Sequence, residues 1–164
     1  MTSTVRPLDD DARRMVRDLM RNARLAALSY LDPDTGAPMV SRIALVDGPD
    51  QVPLSLISDL SQHSAALQKL PVCSLLIGEP GDKGDPLTHP RLSLQAEATF
   101  IRHQDPAHAQ LAQAFLAKQP KAKLYIGFAD FALVQFKPLG AFLNGGFGKA
   151  YMLEASDLAP SSTR

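Results

Sequence analysis

Residues 91–100, Arg-Leu-Ser-Leu-Gln-Ala-Glu-Ala-Thr-Phe, alternate between apolar and polar side chains. The apolar positions run from Leu92 to Phe100, and the polar positions between them run from Ser93 to Thr99. A period of two residues is that of a β-strand with one face on a core and the other facing solvent. This stretch therefore predicts a half-buried strand.

Six further segments have the apolar and β-branched composition of strands and are bounded by turn residues. The first three are separated by turns at 32–36 and 47–50, so we expect them to pair as an antiparallel meander. The loop at 78–90 is rich in Gly, Pro and Asp and should be exposed and mobile. The last two segments flank Lys137-Pro138-Leu139. The six predicted strands cover residues 25–31, 37–46, 52–57, 72–77, 131–136 and 140–143.

Three stretches carry helix signals. The acids at 9–11 can cap a first helix and favour its positive end. A short second helix should have Ser58 or Asp59 as its N-cap and end at Leu70, before a proline. Pro106 suits the first position of a third helix. Short antiparallel strands with a few helices predict a mainly β, α+β fold, in which a closed or nearly closed barrel has its open ends covered by helices.

The composition is that of one ordinary globular domain. The chain has 164 residues, of which 45% are hydrophobic and 21% charged, so residues 1–158 are expected to form one domain, followed by a disordered tail at 159–164. Lys plus Arg equals Asp plus Glu at 17 each, which favours neither nucleic acid nor a membrane surface. No signal peptide or membrane span is apparent, so we expect a cytoplasmic protein.

A polar cluster, Ser58-Asp59-Leu60-Ser61-Gln62-His63, lies where a predicted strand gives way to a helix. A helix start offers unpaired N–H groups and a partial positive charge, and both suit a phosphate group. Simple capping by Ser58 or Asp59 would account for the same residues. The residues alone leave both interpretations open.

Arg42 lies in the middle of an otherwise apolar predicted strand. A guanidinium at such a position needs either an anionic partner or a path to solvent. Arg42 is therefore either a ligand for an anion or an outward side chain on a solvated sheet face.

Several kinds of site lack support. The segment Gly145-Gly146-Phe147-Gly148-Lys149 does not have the spacing of a nucleotide triphosphate loop, and we expect a turn where the backbone approaches a ligand or another subunit. The four histidines and Cys73 lack the spacing of a metal site. No nucleophile elbow is present. We therefore expect no metal and no hydrolase chemistry.

Together, these segments resemble the pyridoxamine 5′-phosphate oxidase-like proteins, which are FMN-binding split barrels, and among them most the barrel domain of HugZ-type haem-utilisation proteins. The resemblance extends from about Ala12 to Leu153. It implies a split β-barrel with covering helices. Its most specific parts are Ala26–Ser29 with the turn at 32–36, Ser58–His63, Gly84–Thr88 with Arg91 and Leu92, Gly127–Phe131, and Gly145–Gly148.

The resemblance also implies a homodimer that binds FMN between its subunits. It selects the phosphate interpretation for Arg42 and for the residues that open the second helix, and it implies that the flavin ring lies at the dimer interface. Fewer cations surround the phosphate than in pyridoxamine 5′-phosphate oxidase, whose basic residues are replaced here by Asp47, Gln62 and His63. The expected cofactor-binding residues are Arg42, Ser58, Asp59, Ser61, Gln62, His63, Gln95, Gly146 and Lys149.

The expected function is that of an FMN-dependent oxidoreductase with a small-molecule substrate or electron donor, and no essential acid or base is assigned beyond the cofactor. One alternative is a haem-binding or haem-handling protein on the same barrel, and another is a non-catalytic ligand-binding domain. Only a short polar tail follows Leu158. The segment by which the oxidase recognises its vitamin substrate and the further C-terminal domain of HugZ-type proteins are therefore not expected.

Overall fold

Eight antiparallel strands form one sheet in the computed structural model, which describes residues 5–160. Three helices accompany the sheet: α1 (Asp10–Asn22), α2 (Gln62–Lys69) and α3 (His108–Lys118). The strands are β1 (Leu25–Leu31), β2 (Pro38–Ala44), β3 (Val46–Asp47), β4 (Pro53–Ser58), β5 (Val72–Ile77), β6 (Arg91–Ile101), β7 (Phe131–Asn144) and β8 (Ala150–Glu154).

The sheet is curled so that its two ends meet. Its strand order is β2-β1-β5-β6-β7-β4-β3, and β8 pairs with the C-terminal part of β7. The two end strands, β2 and β3, are consecutive in the chain and separated only by Leu45. The Ser55 hydroxyl of β4 donates a hydrogen bond of 2.5 Å to the carbonyl of Ala44 in β2. The structure thus confirms the expected α+β split barrel.

Strand β6 lies near the centre of the sheet and shows the predicted alternation. Its even-numbered residues from Leu92 to Ala98 are buried, whereas the odd-numbered residues from Ser93 to Thr99 are exposed. Its apolar side chains join the main core, in which Leu28, Leu75 and their neighbours are also fully buried. Apolar burial of this kind contributes roughly 25 cal/mol per Å² removed from water.

Each helix buries an apolar stripe on the sheet. The Asp9 carboxylate caps α1 by accepting a 2.7 Å hydrogen bond from the N–H of Ala12, as the acidic run predicted. Helix α1 packs on the main core, as do Ala66 and Leu67 of α2. Helix α3 instead packs on a second apolar cluster through Phe115 and a neighbouring leucine.

The predicted meander of the first three strands is confirmed in part, since the end of the predicted second strand pairs with the third only at Val46↔Leu54. Strands β1 and β2 pair as expected, but β4 pairs with β3 and β7. Ile43 and Leu45 belong to the main core, whereas Ala44 and Val46 contact the second cluster, so the side chains keep the alternation of an extended strand through this segment. The predicted strand 37–46 is divided at Leu45 because its pairing partner changes there from β1 to β4.

Further boundaries differ from the expectations at the C-terminal side. The segments predicted as two strands around Pro138 form the single strand β7, because Pro138 and Leu139 lie at a bulge where the register with β6 shifts. Strand β8 was not predicted. Helix α3 begins two residues after Pro106. The loop 78–90 is largely exposed, as expected. Of the predicted tail, residues 161–164 lie outside the described residues.

The turn between β3 and β4 contains two strained residues. Asp50 and Gln51 both have positive φ, at 56° and 58°, and the Val52 N–H donates to the Pro49 carbonyl at 3.2 Å. This is the geometry of a type I′ turn, in which glycine is preferred at the second central position.

We therefore expect Gln51→Gly to raise the free energy of unfolding by about 1 kcal/mol, since it relieves the positive φ. Gln51→Ala is the matched control, because alanine keeps a Cβ at the strained position and should bring no gain. The comparison is made by urea unfolding at equilibrium. An unchanged midpoint for Gln51→Gly would contradict the strain assigned to this turn.

Candidate functional site

The segment Ser58–His63, named here the α2 turn, connects β4 to α2 through a tight set of hydrogen bonds. The Ser58 carbonyl accepts from both the N–H and the hydroxyl of Ser61, at 3.1 and 2.7 Å. The Ser58 hydroxyl donates to the Asp130 carboxylate at 2.6 Å and accepts from the N–H of Leu60 at 3.1 Å. The two serines therefore hold the shape of the turn.

The first two N–H groups of α2 have no protein acceptor among the described residues. They belong to Gln62 and His63, whereas the next two, of Ser64 and Ala65, both donate to the Ser61 carbonyl. Ser61 is the N-cap, but its side chain does not cap the helix. This corrects the expected cap at Ser58 or Asp59. Two free N–H groups at the positive end of a helix suit a phosphate oxygen.

Asp59 is engaged by a residue that the sequence analysis did not single out. Its two carboxylate oxygens accept hydrogen bonds from the two terminal nitrogens of Arg102, at 2.5 and 2.9 Å. The same carboxylate accepts longer bonds of 3.3 Å from Ser64 and Gln68 of α2. The Arg102 guanidinium holds the pKa of Asp59 below its usual range. The carboxylate is thus ionised and its charge is balanced.

His63 is half-buried at the second position of α2. Its ring lies 6.1 Å from the ring of Tyr30, which is buried on β1. Burial lowers the pKa of His63 below its ordinary value, so the imidazole is neutral at pH 7. It offers a hydrogen-bonding group without a positive charge.

Arg42 is exposed on β2 and forms no ion pair with any described residue. Strands β3 and β4 pair in the register Val46↔Leu54 and Asp47↔Pro53. Strand β2 contacts β4, and the Ser55 hydroxyl of β4 donates its hydrogen bond to the Ala44 carbonyl of β2. Arg42 thus lies on the strand next to β4, which leads into the α2 turn, and has no ion-pair partner among the described residues.

Arg42 and Gln95 share the outer face of the sheet, which is the face turned away from the main core. One row of this face runs from Arg42 across Ala27 and Leu76, and the next row contains Gln95 between Ser74 and Gly140. The outer face is unusually apolar for an exposed surface. Its exposed apolar side chains include Val40 (68% exposed), Leu76 (45%), Val72 (57%) and Met152 (62%).

The segment Gly145–Lys149 closes the β7–β8 hairpin at the far end of β7. Ser58 pairs with the first residue of β7, whereas Asn144, its last residue, precedes this loop. Within one subunit the structure thus does not bring Gly146 and Lys149 to the α2 turn. Gly146 has φ of +105°, and a Cβ there would lie 2.8 Å from the Thr88 carbonyl oxygen, so only glycine fits. Phe147 at the tip is 97% exposed.

Two site residues escaped the sequence analysis. Arg102 follows the alternating strand β6, and its only sequence signal is its position one residue beyond the strand. Asp130 lies in the Gly127–Phe131 segment that carried part of the family resemblance, but its bond to Ser58 joins residues 72 positions apart. Neither contact could be derived from local patterns.

Other potential sites are weaker. Among residues 5–160, no three His, Cys, Asp or Glu side chains are grouped closely enough to hold a metal ion. His103 and His108 stack with their ring centroids 4.5 Å apart, and His103 contacts the Ile126 carbonyl. Helices in the described part of the chain are too short or too polar to span a membrane.

Solved structures similar to this chain share its fold over most of its length. One is 41% identical and covers 94% of this chain and all of that one, with a TM-score of 0.83. A haem-binding protein from Mycobacterium smegmatis is 25% identical over 94% of this chain, with a TM-score of 0.80. The chain spans 61% of the length of that protein.

More distant structures agree on the fold alone. The haem storage protein HutZ from Vibrio cholerae is 21% identical over 81% of this chain and 94% of its own, with a TM-score of 0.70. A pyridoxinephosphate oxidase family protein from Clostridium acetobutylicum is 11% identical over 92% of this chain and 99% of its own, with a TM-score of 0.69. No family model and no curated protein sequence matches the chain.

Proposed function

Because the chain is a split barrel of the pyridoxamine 5′-phosphate oxidase-like superfamily, near the HugZ-type proteins, we propose that it is a homodimeric FMN-binding flavoprotein and an oxidoreductase. The observation that carries the proposal is the pair of free N–H groups at Gln62 and His63, at the start of the helix that follows β4, while the neighbouring strand β2 carries the unpaired cation of Arg42. These groups form an anchor for a phosphate monoester.

The residues of the α2 turn fit such a group. The phosphate would accept hydrogen bonds from the N–H groups of Gln62 and His63 and from Arg42. Ser61 lies at the same helix start, and its hydroxyl can rotate from the Ser58 carbonyl toward an anion. Asp59 is neutralised by Arg102 and provides no donor. Because Arg42 is the one cation assigned to the phosphate, we expect the affinity for FMN to be moderate.

The flavin ring would lie on the outer face of the sheet. This face combines apolar side chains, such as Leu76, with Gln95, whose amide can hydrogen-bond a ring edge. Beside Gln95 in the register of the sheet, Gly140 has no side chain. A flat ring can approach the backbone closely at such a position. Bound FMN would supply the electron-transfer chemistry.

The same face supports a homodimer. Exposed apolar side chains on β2, β5 and β8 lie on this face, and apolar groups grouped on an exposed surface mark an interaction site. A second subunit on this face would shield the ring from water. It would also bring its own Gly146 and Lys149 within reach of the cofactor, which one subunit does not do by itself.

The proposal is tested by titrating the apoprotein with FMN and with riboflavin, which lacks the phosphate. We expect saturable quenching of FMN fluorescence with one FMN per chain, and at least about 10-fold weaker binding of riboflavin, since charge-assisted hydrogen bonds contribute roughly 1.5–3 kcal/mol. No binding of either flavin would refute the proposal. Equal affinity for the two would refute the phosphate anchor.

Haem binding is the second candidate, because the Mycobacterium smegmatis protein that is 25% identical over 94% of this chain binds haem. The apolar outer face could also cover a porphyrin. Among the described histidines, none lies on the outer-face rows of β1, β2, β5 and β6. A Soret band on adding haemin, with no uptake of FMN, would favour this candidate.

A further inference from the structure

The ion pair between Asp59 and Arg102 joins the α2 turn to the end of β6. Arg102 is fixed on two sides, since its guanidinium lies over the Phe100 ring at 5.5 Å and meets the Asp59 carboxylate with two nitrogens. Both side chains are less than half exposed, at 29% for Arg102 and 35% for Asp59. Two parallel hydrogen bonds define an angle as well as a distance. The pair therefore fixes the orientation of Asp59.

The Asp59 carboxylate is also hydrogen-bonded to α2. Its carboxylate accepts hydrogen bonds from Ser64 and Gln68, one and two turns into the helix. Its backbone N–H donates to the Asp130 carbonyl at 2.6 Å. The residue is thus held by β6, by the start of β7 and by α2 itself. The direction of the free N–H groups at Gln62 and His63 depends on that arrangement.

We propose that Asp59 and Arg102 are positioning residues, which orient the N–H groups of α2 for a phosphate without contacting it. This inference rests on the proposed function, because the phosphate is that of FMN. It assigns to an acidic residue a favourable effect on the binding of an anion. The effect arises through geometry, and it opposes the direct electrostatic effect of the carboxylate.

The two effects predict opposite signs for Asp59→Asn. If charge alone mattered, the substitution would remove a negative charge near the phosphate and release Arg102 as a further cation, so FMN would bind more tightly. If positioning dominates, the amide cannot accept both guanidinium nitrogens, the turn loosens, and FMN binds more weakly. Riboflavin has no phosphate, so neither effect should change its affinity.

The experiment compares wild type, Asp59→Asn and Arg102→Lys in equilibrium titrations with FMN and riboflavin. We expect Asp59→Asn to weaken FMN binding by about 10-fold, the worth of one charge-assisted hydrogen bond, with riboflavin unchanged. Arg102→Lys keeps the positive charge but loses the pair of hydrogen bonds to Asp59, so it should also weaken FMN binding. Tighter or unchanged FMN binding by Asp59→Asn would overturn the inference.

Asp157→Asn is the matched control, because Asp157 also pairs with an arginine and accepts a backbone N–H, but its partner Arg13 lies in the N-terminal half of α1. It should leave FMN affinity unchanged.

Amide hydrogen exchange of the apoprotein provides a second measurement, which does not depend on flavin. Faster exchange at Ser64 and Ala65 in Asp59→Asn supports positioning, and unchanged exchange overturns it. If wild type takes up no flavin, the proposed function fails, and the exchange rates still decide whether Asp59 orders the helix start.

Discussion

Arg42→Ala is expected to weaken FMN binding by roughly 10- to 100-fold, because it removes a charge-assisted contact worth about 1.5–3 kcal/mol. The side chain is exposed on β2 and has no ion-pair partner in the described part of the chain, so its removal should not unfold the protein. Its effect on riboflavin should be within about twofold, since that flavin presents no phosphate. The measurement is a pair of fluorescence titrations at fixed ionic strength.

Arg17→Ala provides the matched control for this experiment. Arg17 is also exposed and unpaired among residues 5–160, but it lies on α1 rather than on β2. Its removal tests whether general positive charge matters, and we expect FMN affinity to stay unchanged. Equal losses for both variants would show that Arg42 acts through net charge alone and would remove it from the phosphate anchor.

Leu76→Arg is expected to abolish the dimer at micromolar concentrations and, with it, flavin binding. Leu76 is at the centre of the outer face, between Ala27 and Ser93 in the register of the sheet. A charge at the centre of an apolar interface costs several kcal/mol unless it is paired, which corresponds to at least about a 100-fold weaker dimer. Sedimentation velocity measures whether the variant is a dimer or a monomer, and titration with FMN measures its affinity for the cofactor.

The control for this substitution is Leu87→Arg. Leu87 is 71% exposed, more than Leu76, but it lies in the loop between β5 and β6 rather than on the sheet. We expect this variant to remain dimeric and to bind FMN. A Leu76→Arg chain that stays dimeric while wild type is also dimeric would place the interface elsewhere on the molecule.

Local patterns predicted the parts of this fold that depend on neighbouring residues. The alternation in β6 and the acidic cap of α1 are properties of single segments, and both are present in the structure. Pairing between distant segments was not accessible in the same way. Nothing in Ala44-Leu45-Val46 marks the change of pairing partner from β1 to β4, since no glycine or proline is present. The pairing of β4 with β7 joins segments that are far apart in the chain.

In the candidate site, too, local features could be predicted from the sequence and contacts between distant residues could not. The cluster from Ser58 to His63 is contiguous, and its helix start could be anticipated from composition. The interpretation of Asp59 needed its partner Arg102, which lies 43 residues away and ends a strand of unremarkable sequence. Proline also misled the prediction at Pro138, because a bulge in β7 accommodates it without ending the strand.

The most direct test of the phosphate anchor is to follow the backbone amide resonances of apoprotein during addition of FMN. The account predicts that the largest shifts occur at Gln62 and His63, whose N–H groups gain an acceptor, and that riboflavin leaves these two amides in place. Amides in α3, which packs on the second apolar cluster, should stay unshifted. Saturable FMN binding that leaves Gln62 and His63 unperturbed would contradict the account.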